Sequence, residues 1–263
     1  MNVFEFGSGP PVLLLHGYPQ SHQCWRKIIP LLEHKRTIYA PDWFGWGSSE
    51  RSLSLSLRYE DEFPRIGKLL ALLNIDGVDL VGHDYGGLLS LAYAAHNPIR
   101  IRSLALINTR AHGKIGFWTR QLLNSMVGLA QYSLTRSCIP YLPLKTIHLL
   151  MFKQFVKNGS FTANELNEYL AFLDSAHGRR WFAHFYRHFR TTPRRELADM
   201  AAYFDFPVAV IWGDQDRYFP FSIGRDLSAR LRNCKLTRIP GGGHFAPEEH
   251  PEQVAAAILE ILR

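Results

Sequence analysis

Cysteine is scarce in this 263-residue chain, with Cys24, Cys138 and Cys234 the full set. Three thiols cannot all pair, and their spacing matches no metal-ligand motif. Neither a disulfide framework nor a metal site is expected; reduced thiols in a cytoplasmic protein are. Residues 1–6 lack both a basic stretch and a signal-length apolar core. No run approaches ~18 apolar residues, so no transmembrane segment is expected. Internal repeats and low-complexity linkers are absent. Long blocks of one charge are absent too, although the net charge is +7. Arginines concentrate only within residues 179–195, where they alternate with Trp181, Phe182, Phe185, Tyr186 and Phe189. That mixture suits an amphipathic helix better than a nucleic-acid surface, and no nucleic-acid partner is expected. A weak attraction for anionic substrate or acidic lipid is compatible with the charge.

What is present points to a packed globule. Hydrophobic residues make up 46% of the chain and charged residues 20%, and the length suits one large α/β domain with an insertion. Short apolar runs read as strands at residues 3–6, 12–15, 37–40, 102–107, 207–212 and 234–239, with another ending at Gly82. Helical periodicity covers residues 25–32, 57–73, 222–231 and 251–262. Between about 111 and 200 the alternation stops. Aromatic-rich helical stretches take over at 117–134, 145–157, 163–175 and 179–190. The expected organisation is therefore a core domain of residues 1–110 and 201–263, with a helical cap inserted at 111–200.

The stretch richest in chemistry is Val78-Asp79-Leu80-Val81-Gly82-His83-Asp84-Tyr85-Gly86-Gly87. An apolar run ends in Gly-x-Asp-x-Gly-Gly, and an apolar helical pattern follows at once to about Asn97. The order is strand, sharp turn, helix, with glycines making room for the turn and for close strand–helix packing. The tip residue of such a turn is strained and presents its side chain. A serine there announces acyl transfer; Asp84 announces a carboxylate nucleophile that forms a covalent ester. The plainer alternative is a helix-capping aspartate.

The chain resembles the aspartate-nucleophile branch of the α/β-hydrolases, which holds epoxide hydrolases, haloalkane dehalogenases and fluoroacetate dehalogenases. The matching pieces are His16-Gly17-Tyr18-Pro19, Asp42-x-x-Gly45-x-Gly47-Ser48, Gly82-His83-Asp84-Tyr85-Gly86-Gly87, Gly213-Asp214-Gln215-Asp216 and Gly243-His244-Phe245. They stand in the family's order and span almost everything outside the insertion. The resemblance implies an α/β-hydrolase fold with a mostly parallel, doubly wound sheet. The strand that the family usually carries ahead of residue 3 is expected to be missing.

The same resemblance implies roles. Asp84 is the nucleophile, and His244, in the loop after the last strand, is the base that activates water. The family pattern Gly-x-x-Asp selects Asp216 as the acid that orients His244 and leaves Asp214 to cap a turn. The backbone N–H groups of Tyr18 and Tyr85 form the oxyanion hole. His83 is a structural member of the turn, and no metal or cofactor is implied. Epoxide hydrolases place ring-opening tyrosines in the cap. Phe185-Tyr186-Arg187-His188 resembles the later of these stretches, so Tyr186 is one candidate; Tyr132 is the other, with Tyr141 second to it.

Two family signatures do not match. Haloalkane dehalogenases hold halide with a Trp directly after the nucleophile, where this chain has Tyr85. Fluoroacetate dehalogenases grip carboxylate with arginines one and four residues after it, where Tyr85 and Leu88 stand. Tyr85 also departs from the Trp usual in epoxide hydrolases. The expected function is hydrolysis of a small apolar epoxide to a diol through an alkyl-enzyme ester, with water as co-substrate. The alternative is a haloalkane or haloacid dehalogenase; outside enzymes, it is a non-catalytic ligand-binding protein of the same fold. The sequence does not choose between a monomer and a homodimer.

Overall fold

The computed structural model describes residues 1–110 and 117–263. Seven strands, β1 (Asn2–Gly7), β2 (Pro11–Leu15), β3 (Thr37–Asp42), β4 (Val78–His83), β5 (Ile101–Ile107), β6 (Val208–Gly213) and β7 (Cys234–Ile239), form one sheet in the order β1-β3-β2-β4-β5-β6-β7. β1 runs antiparallel to β3, and the remaining pairs are parallel.

Period-two alternation sorts the strand residues onto two faces. Leu13, Leu15, Leu80, Leu104, Leu106, Val208 and Val210 enter one core, and Val12, Leu14, Val81, Ala105, Ile107, Ala209 and Ile211 the other. Every residue of β4 and β6 is buried. This explains why those strands read as continuous apolar runs rather than as alternating ones.

The helices are α1 (Ile29–Leu32), α2 (Tyr59–Glu62), α3 (Pro64–Leu72), α4 (Asp84–His96), α5 (Phe117–Gln131), α6 (Ser133–Cys138), α7 (Leu144–Lys157), α8 (Ala163–Tyr169), α9 (Ala176–His188), α10 (Arg195–Ala201), α11 (Phe221–Arg230), α12 (Ala246–Glu249) and α13 (Pro251–Leu259). Proline explains two departures from the sequence reading. A helix through residues 25–32 needs an N–H from Pro30 and one through 57–73 needs an N–H from Pro64, and proline has none. The first becomes a 3₁₀ turn at His22–Trp25 followed by α1, and the second divides into α2 and α3. The helix expected over 117–134 stops at Gln131, because Tyr132 is extended (φ −91°, ψ 138°) and α6 starts afresh.

α5 to α10 lie between β5 and β6, and buried aromatics of these helices and their connections extend the first core: Phe152, Phe161, Trp181, Phe182 and Phe185 all belong to it. Phe245, in the loop after β7, joins this segment to the sheet. Its ring lies 4.9 Å from Phe155 and 5.1 Å from Phe161, near edge-to-face. Such aromatic pairs add about 0.5–1.5 kcal/mol beyond the area they bury. Along the sheet, β3 lies on one side of β2 and β4 on the other. Connections therefore leave the carboxyl ends of β2 and β4 in opposite senses, which opens a crevice there. The register sets Leu15 opposite Gly82, so the loops after both strands meet at its mouth.

Candidate active site

Asp84 sits in that crevice, at the turn from β4 into α4. Its φ is +48°, a left-handed conformation that costs a non-glycine residue roughly 1–3 kcal/mol. The surrounding sequence enforces it. A Cβ on Gly82 would lie 2.5 Å from Ser90 Oγ, and one on Gly86 would strike the carbonyls of Leu15 and His16. A Cβ on Gly17 would lie 2.6 Å from Asp84 Cβ, so the β2 loop approaches only because it carries glycine there. The result is a carboxylate facing backbone donors. The Tyr18 N–H donates to Asp84 Oδ2 at 2.9 Å, and the Tyr85 N–H also reaches the carboxylate. Behind it, Thr109 Oγ1 donates to the Asp84 carbonyl at 2.5 Å. His16 fixes the β2 loop. Its Nε2 accepts the Trp43 N–H at 2.9 Å, so the proton is on Nδ1, which donates to the Gly17 carbonyl. Burial raises the Asp84 pKa above the ordinary carboxylate value, against the opposing pull of His244 and the two N–H donors.

His244 and Asp216 come together beside it. His244 Nδ1 lies 2.9 Å from Asp216 Oδ2, and His244 Nε2 lies 3.9 Å from Asp84 Oδ1. Asp216 is held by three further donors: Asn108 Nδ2 at 2.7 Å on Oδ2, and the N–H groups of Tyr218 and Phe219 at 2.7 and 2.9 Å on Oδ1. Burial pushes the His244 ring down. Asp216, through charge and hydrogen bond, and then Asp84 outweigh it, so the imidazole titrates above its ordinary value. Asp214 faces the other way, pairing with Arg238 at 2.7 Å and accepting the Gly241 N–H at 2.9 Å. His83 lies 2.8 Å from the His244 carbonyl through Nε2, and burial lowers its pKa to about 3. It supports the His244 loop as a neutral donor.

Above Asp84 a cavity of about 290 Å³ opens, lined mainly by aromatic and aliphatic side chains including Tyr85, Leu88, Phe185, Tyr186 and Phe189. Its polar groups form a chain. The Tyr186 hydroxyl donates to the Tyr18 hydroxyl at 3.2 Å, and Tyr18 lies 2.6 Å from His148 Nε2. His148 Nδ1 is 2.7 Å from the Leu144 carbonyl, which fixes the proton there and makes Nε2 an acceptor. Burial lowers the His148 pKa, favouring that neutral ring, and pushes Tyr186 up to about 12.

Tyr132 does not reach this cavity. The helix break at that residue leaves its side chain 72% exposed, and Tyr141 is exposed as well. Instead, Tyr18, singled out from its sequence position only for its N–H, brings its hydroxyl to Tyr186. His148, Asn108 and Thr109 are further residues that the motifs did not reveal. Tyr85 differs from Tyr186. Its hydroxyl is committed to Glu62, a buried carboxylate that also accepts from Trp43 Nε1 at 3.1 Å. Among the described residues no group of His, Cys, Asp and Glu is placed to hold a metal ion, and no helix is long and apolar enough to cross a membrane.

An acidic residue on a strand–helix turn at a switch point, beside a histidine–carboxylate pair, defines a hydrolase-type site on a doubly wound sheet. The chain matches the family model of the alpha/beta hydrolase fold over residues 10–251, and it belongs to that family. It is similar to haloalkane dehalogenase 2 of Mycobacterium tuberculosis, 29% identical over 269 residues that cover 99% of this chain and 90% of the relative. A soluble epoxide hydrolase from Corynebacterium sp. is 25% identical over 293 residues, covering 100% and 93%. The crystal structure of an alpha/beta hydrolase fold protein from Burkholderia ambifaria superposes with a TM-score of 0.79 at 29% identity, covering 98% of this chain and 93% of that one. The protein is thus a hydrolase related at modest identity to both dehalogenases and epoxide hydrolases.

Proposed function

We propose that Asp84 is the nucleophile of a two-step hydrolysis and that the substrate is an epoxide on an apolar frame. The supporting observation is the placement of His244 Nε2 3.9 Å from Asp84 Oδ1. A base that deprotonates its nucleophile sits within about 2.6–3.2 Å of it. This one stands back, as a base does whose partner is water. With Oδ2 on the Tyr18 N–H, Oδ1 attacks an epoxide carbon, and the C–O bond breaks with its electron pair on the ring oxygen. Tyr186 delivers its proton to that oxygen. His244 then takes a proton from water, and the hydroxide adds to the Asp84 carbonyl carbon. The Tyr18 and Tyr85 N–H groups hold the oxyanion. As the ester C–O bond breaks, the departing alkoxide takes the proton of the added hydroxyl, which releases the diol and leaves Asp84 a carboxylate. The proton on His244 returns to the Tyr186 phenolate. Water and epoxide are consumed and one diol is made.

Tyr186 suits the donor role because Tyr18, its partner, is already donating to His148. The Tyr186 proton, held by a bond of 3.2 Å to the Tyr18 oxygen, is the one that can turn toward a substrate. Of the expected cap at 111–200, residues 111–116 lie outside the described residues; the part from 117 onward acts in this reading as a cover over Asp84 that excludes water. The free state of Cys24, Cys138 and Cys234 fits work in the reducing cytoplasm. The dehalogenase reading has the 29% identity to a haloalkane dehalogenase in its favour, but the Tyr85 hydroxyl, occupied by Glu62, offers a halide no free donor. One turnover in heavy-oxygen water tests the nucleophile: the label is expected in the Asp84 carboxylate, and label confined to product refutes it. Matched epoxides and alkyl halides, read for diol and halide, then decide the leaving group.

A further inference from the structure

We propose that this site takes an amphiphilic substrate: a reactive carbon at Asp84 and, at the far end of an apolar stretch, a carboxylate or phosphate held by Arg110. The idea rests on the reading of Asp84 above and adds the class of substrate. A second cavity, of about 410 Å³, adjoins the one over Asp84 and shares Tyr85, Leu88, Arg110 and Phe189 with it. The first is walled by apolar side chains; the second is rich in cations. Arg58, Arg110, Arg190 and Arg194 line it against the single acid Glu60, and Arg194 already holds Glu60 at 2.9 Å.

Arg110 stands at the junction and is only 6% exposed. Its guanidinium donates to the carbonyls of Thr191 and Arg190, both at 2.8 Å, and stacks over the Phe189 ring at 5.8 Å. These partners are neutral. Among the described residues no carboxylate pairs with it directly; the charge of Asp84 acts on it only from beyond ion-pair distance, whereas the buried acids elsewhere, such as Glu248 with Arg26, have direct counterions. Burying a charge without a direct partner is unfavourable, and a ligand anion is the group that supplies one. The two carbonyls also fix the guanidinium plane, and a preset fork suits bidentate recognition of carboxylate or phosphate. Tyr85, Leu88 and Phe189 form the apolar wall between the two ends. The overall charge of +7 adds a general attraction for such a ligand.

The test uses Asp84→Asn protein, which cannot form the ester, titrated calorimetrically with octanoate, octyl phosphate and octanamide. Both anions are expected to bind on the order of tenfold or more tighter than the amide, a ratio set by one charge-assisted pair. Whichever anion binds tighter identifies the head group. Arg110→Gln on that background should abolish the preference, and Arg110→Lys should retain part of it. Arg58→Gln, at an exposed position, should weaken the anions several-fold and leave the amide unchanged, which gives a readout even if Arg110→Gln fails to fold. Equal binding of octanoate and octanamide, or an anion preference untouched by Arg110→Gln and by Arg58→Gln, overturns the proposal. The two readings separate: anion preference without an Asp84 ester refutes only the nucleophile, and an Asp84 ester without anion preference refutes only Arg110.

Discussion

His244 Nε2 stands 3.9 Å from Asp84 Oδ1 while its Nδ1 lies 2.9 Å from Asp216 Oδ2. The ring is thus anchored to one carboxylate and held off the other. That asymmetry assigns the two steps of the proposed reaction to different residues.

Replacing His244 with Gln should leave ester formation on Asp84 in place and stop its hydrolysis. Mass spectrometry of the intact variant with epoxide is expected to show a stable adduct of one substrate mass; wild-type turnover by this variant would remove His244 from the mechanism. In the wild type, the hydrolysis rate in single turnover should rise with pH through a midpoint set by His244. Loss of the Asp84 charge in the ester removes one of the interactions that raise that ring's pKa, so the midpoint should lie below that of the free enzyme.

The two acids after β6 should rank clearly. Asp216→Asn removes the charge that supports the imidazolium and offers Nδ1 of His244 an amide. A loss on the order of 10³-fold or more in kcat is expected, by analogy with other histidine–carboxylate pairs. Asp214→Asn, which alters a surface pair with Arg238, should stay within a few-fold. Steady-state kinetics of both variants measures this, and the reverse order would exchange their roles.

Tyr186→Phe should slow alkylation of Asp84 by an epoxide on the order of 10²-fold or more, the usual loss for one preorganised donor. A matched alkyl bromide should be affected far less, because halide leaves without a proton. Tyr132→Phe should change neither rate, since Tyr132 projects into solvent. Rapid-quench measurement of adduct formation distinguishes these cases; an unchanged epoxide rate in Tyr186→Phe makes that residue a packing aromatic.

Glu62 gives the fold a pH dependence. Burial raises its pKa to about 7, opposed by the hydrogen bond from Tyr85, the charge of Arg65 and the bond from Trp43. A carboxyl group whose folded pKa exceeds its unfolded one stabilises the fold in its neutral form. That contribution is complete below the unfolded value of 4.5 and is lost as pH rises through about 7. It amounts to roughly 3 kcal/mol at most. In Glu62→Gln the amide oxygen can accept from Trp43 and the NH₂ can donate to Tyr85. Urea denaturation at pH 5 and pH 8 should therefore show a smaller difference in this variant than in the wild type. Equal differences would show that Glu62 does not titrate in this range.

Much of this architecture is legible in the sequence because it depends on local patterns. Apolar runs followed by helical periodicity define the strands and their crossovers, and the glycines around Asp84 define a turn whose sterics only glycine meets. His244 and Asp216 are legible through the family resemblance, which picks one residue from the loop after each of the last two strands; strand order alone does not separate Asp216 from Asp214. The helix through Tyr132 misleads because α5 and α6 share one apolar periodicity, and the extended residue between them carries no proline or glycine. His148 is hidden among twelve histidines. Its contact with Tyr18 spans 130 positions and depends on how α7 docks, which no local pattern encodes. Arg110 is hidden likewise, since the groups around it, Phe189, Arg190 and Thr191, come from the residues that follow α9.

Gly45 adopts φ +82°, and any Cβ there would overlap the indole of Trp181 on α9, whose ring also lies 4.9 Å from Trp46. The helical insertion is therefore not an exchangeable module. A chimera that keeps this sheet and imports the region between β5 and β6 from a relative must bring a side chain that fills the notch above Gly45. The converse graft, α9 onto a core with any larger residue at that position, drives a Cβ into the buried Trp181 indole, so recombination between relatives is constrained to inherit the pair together.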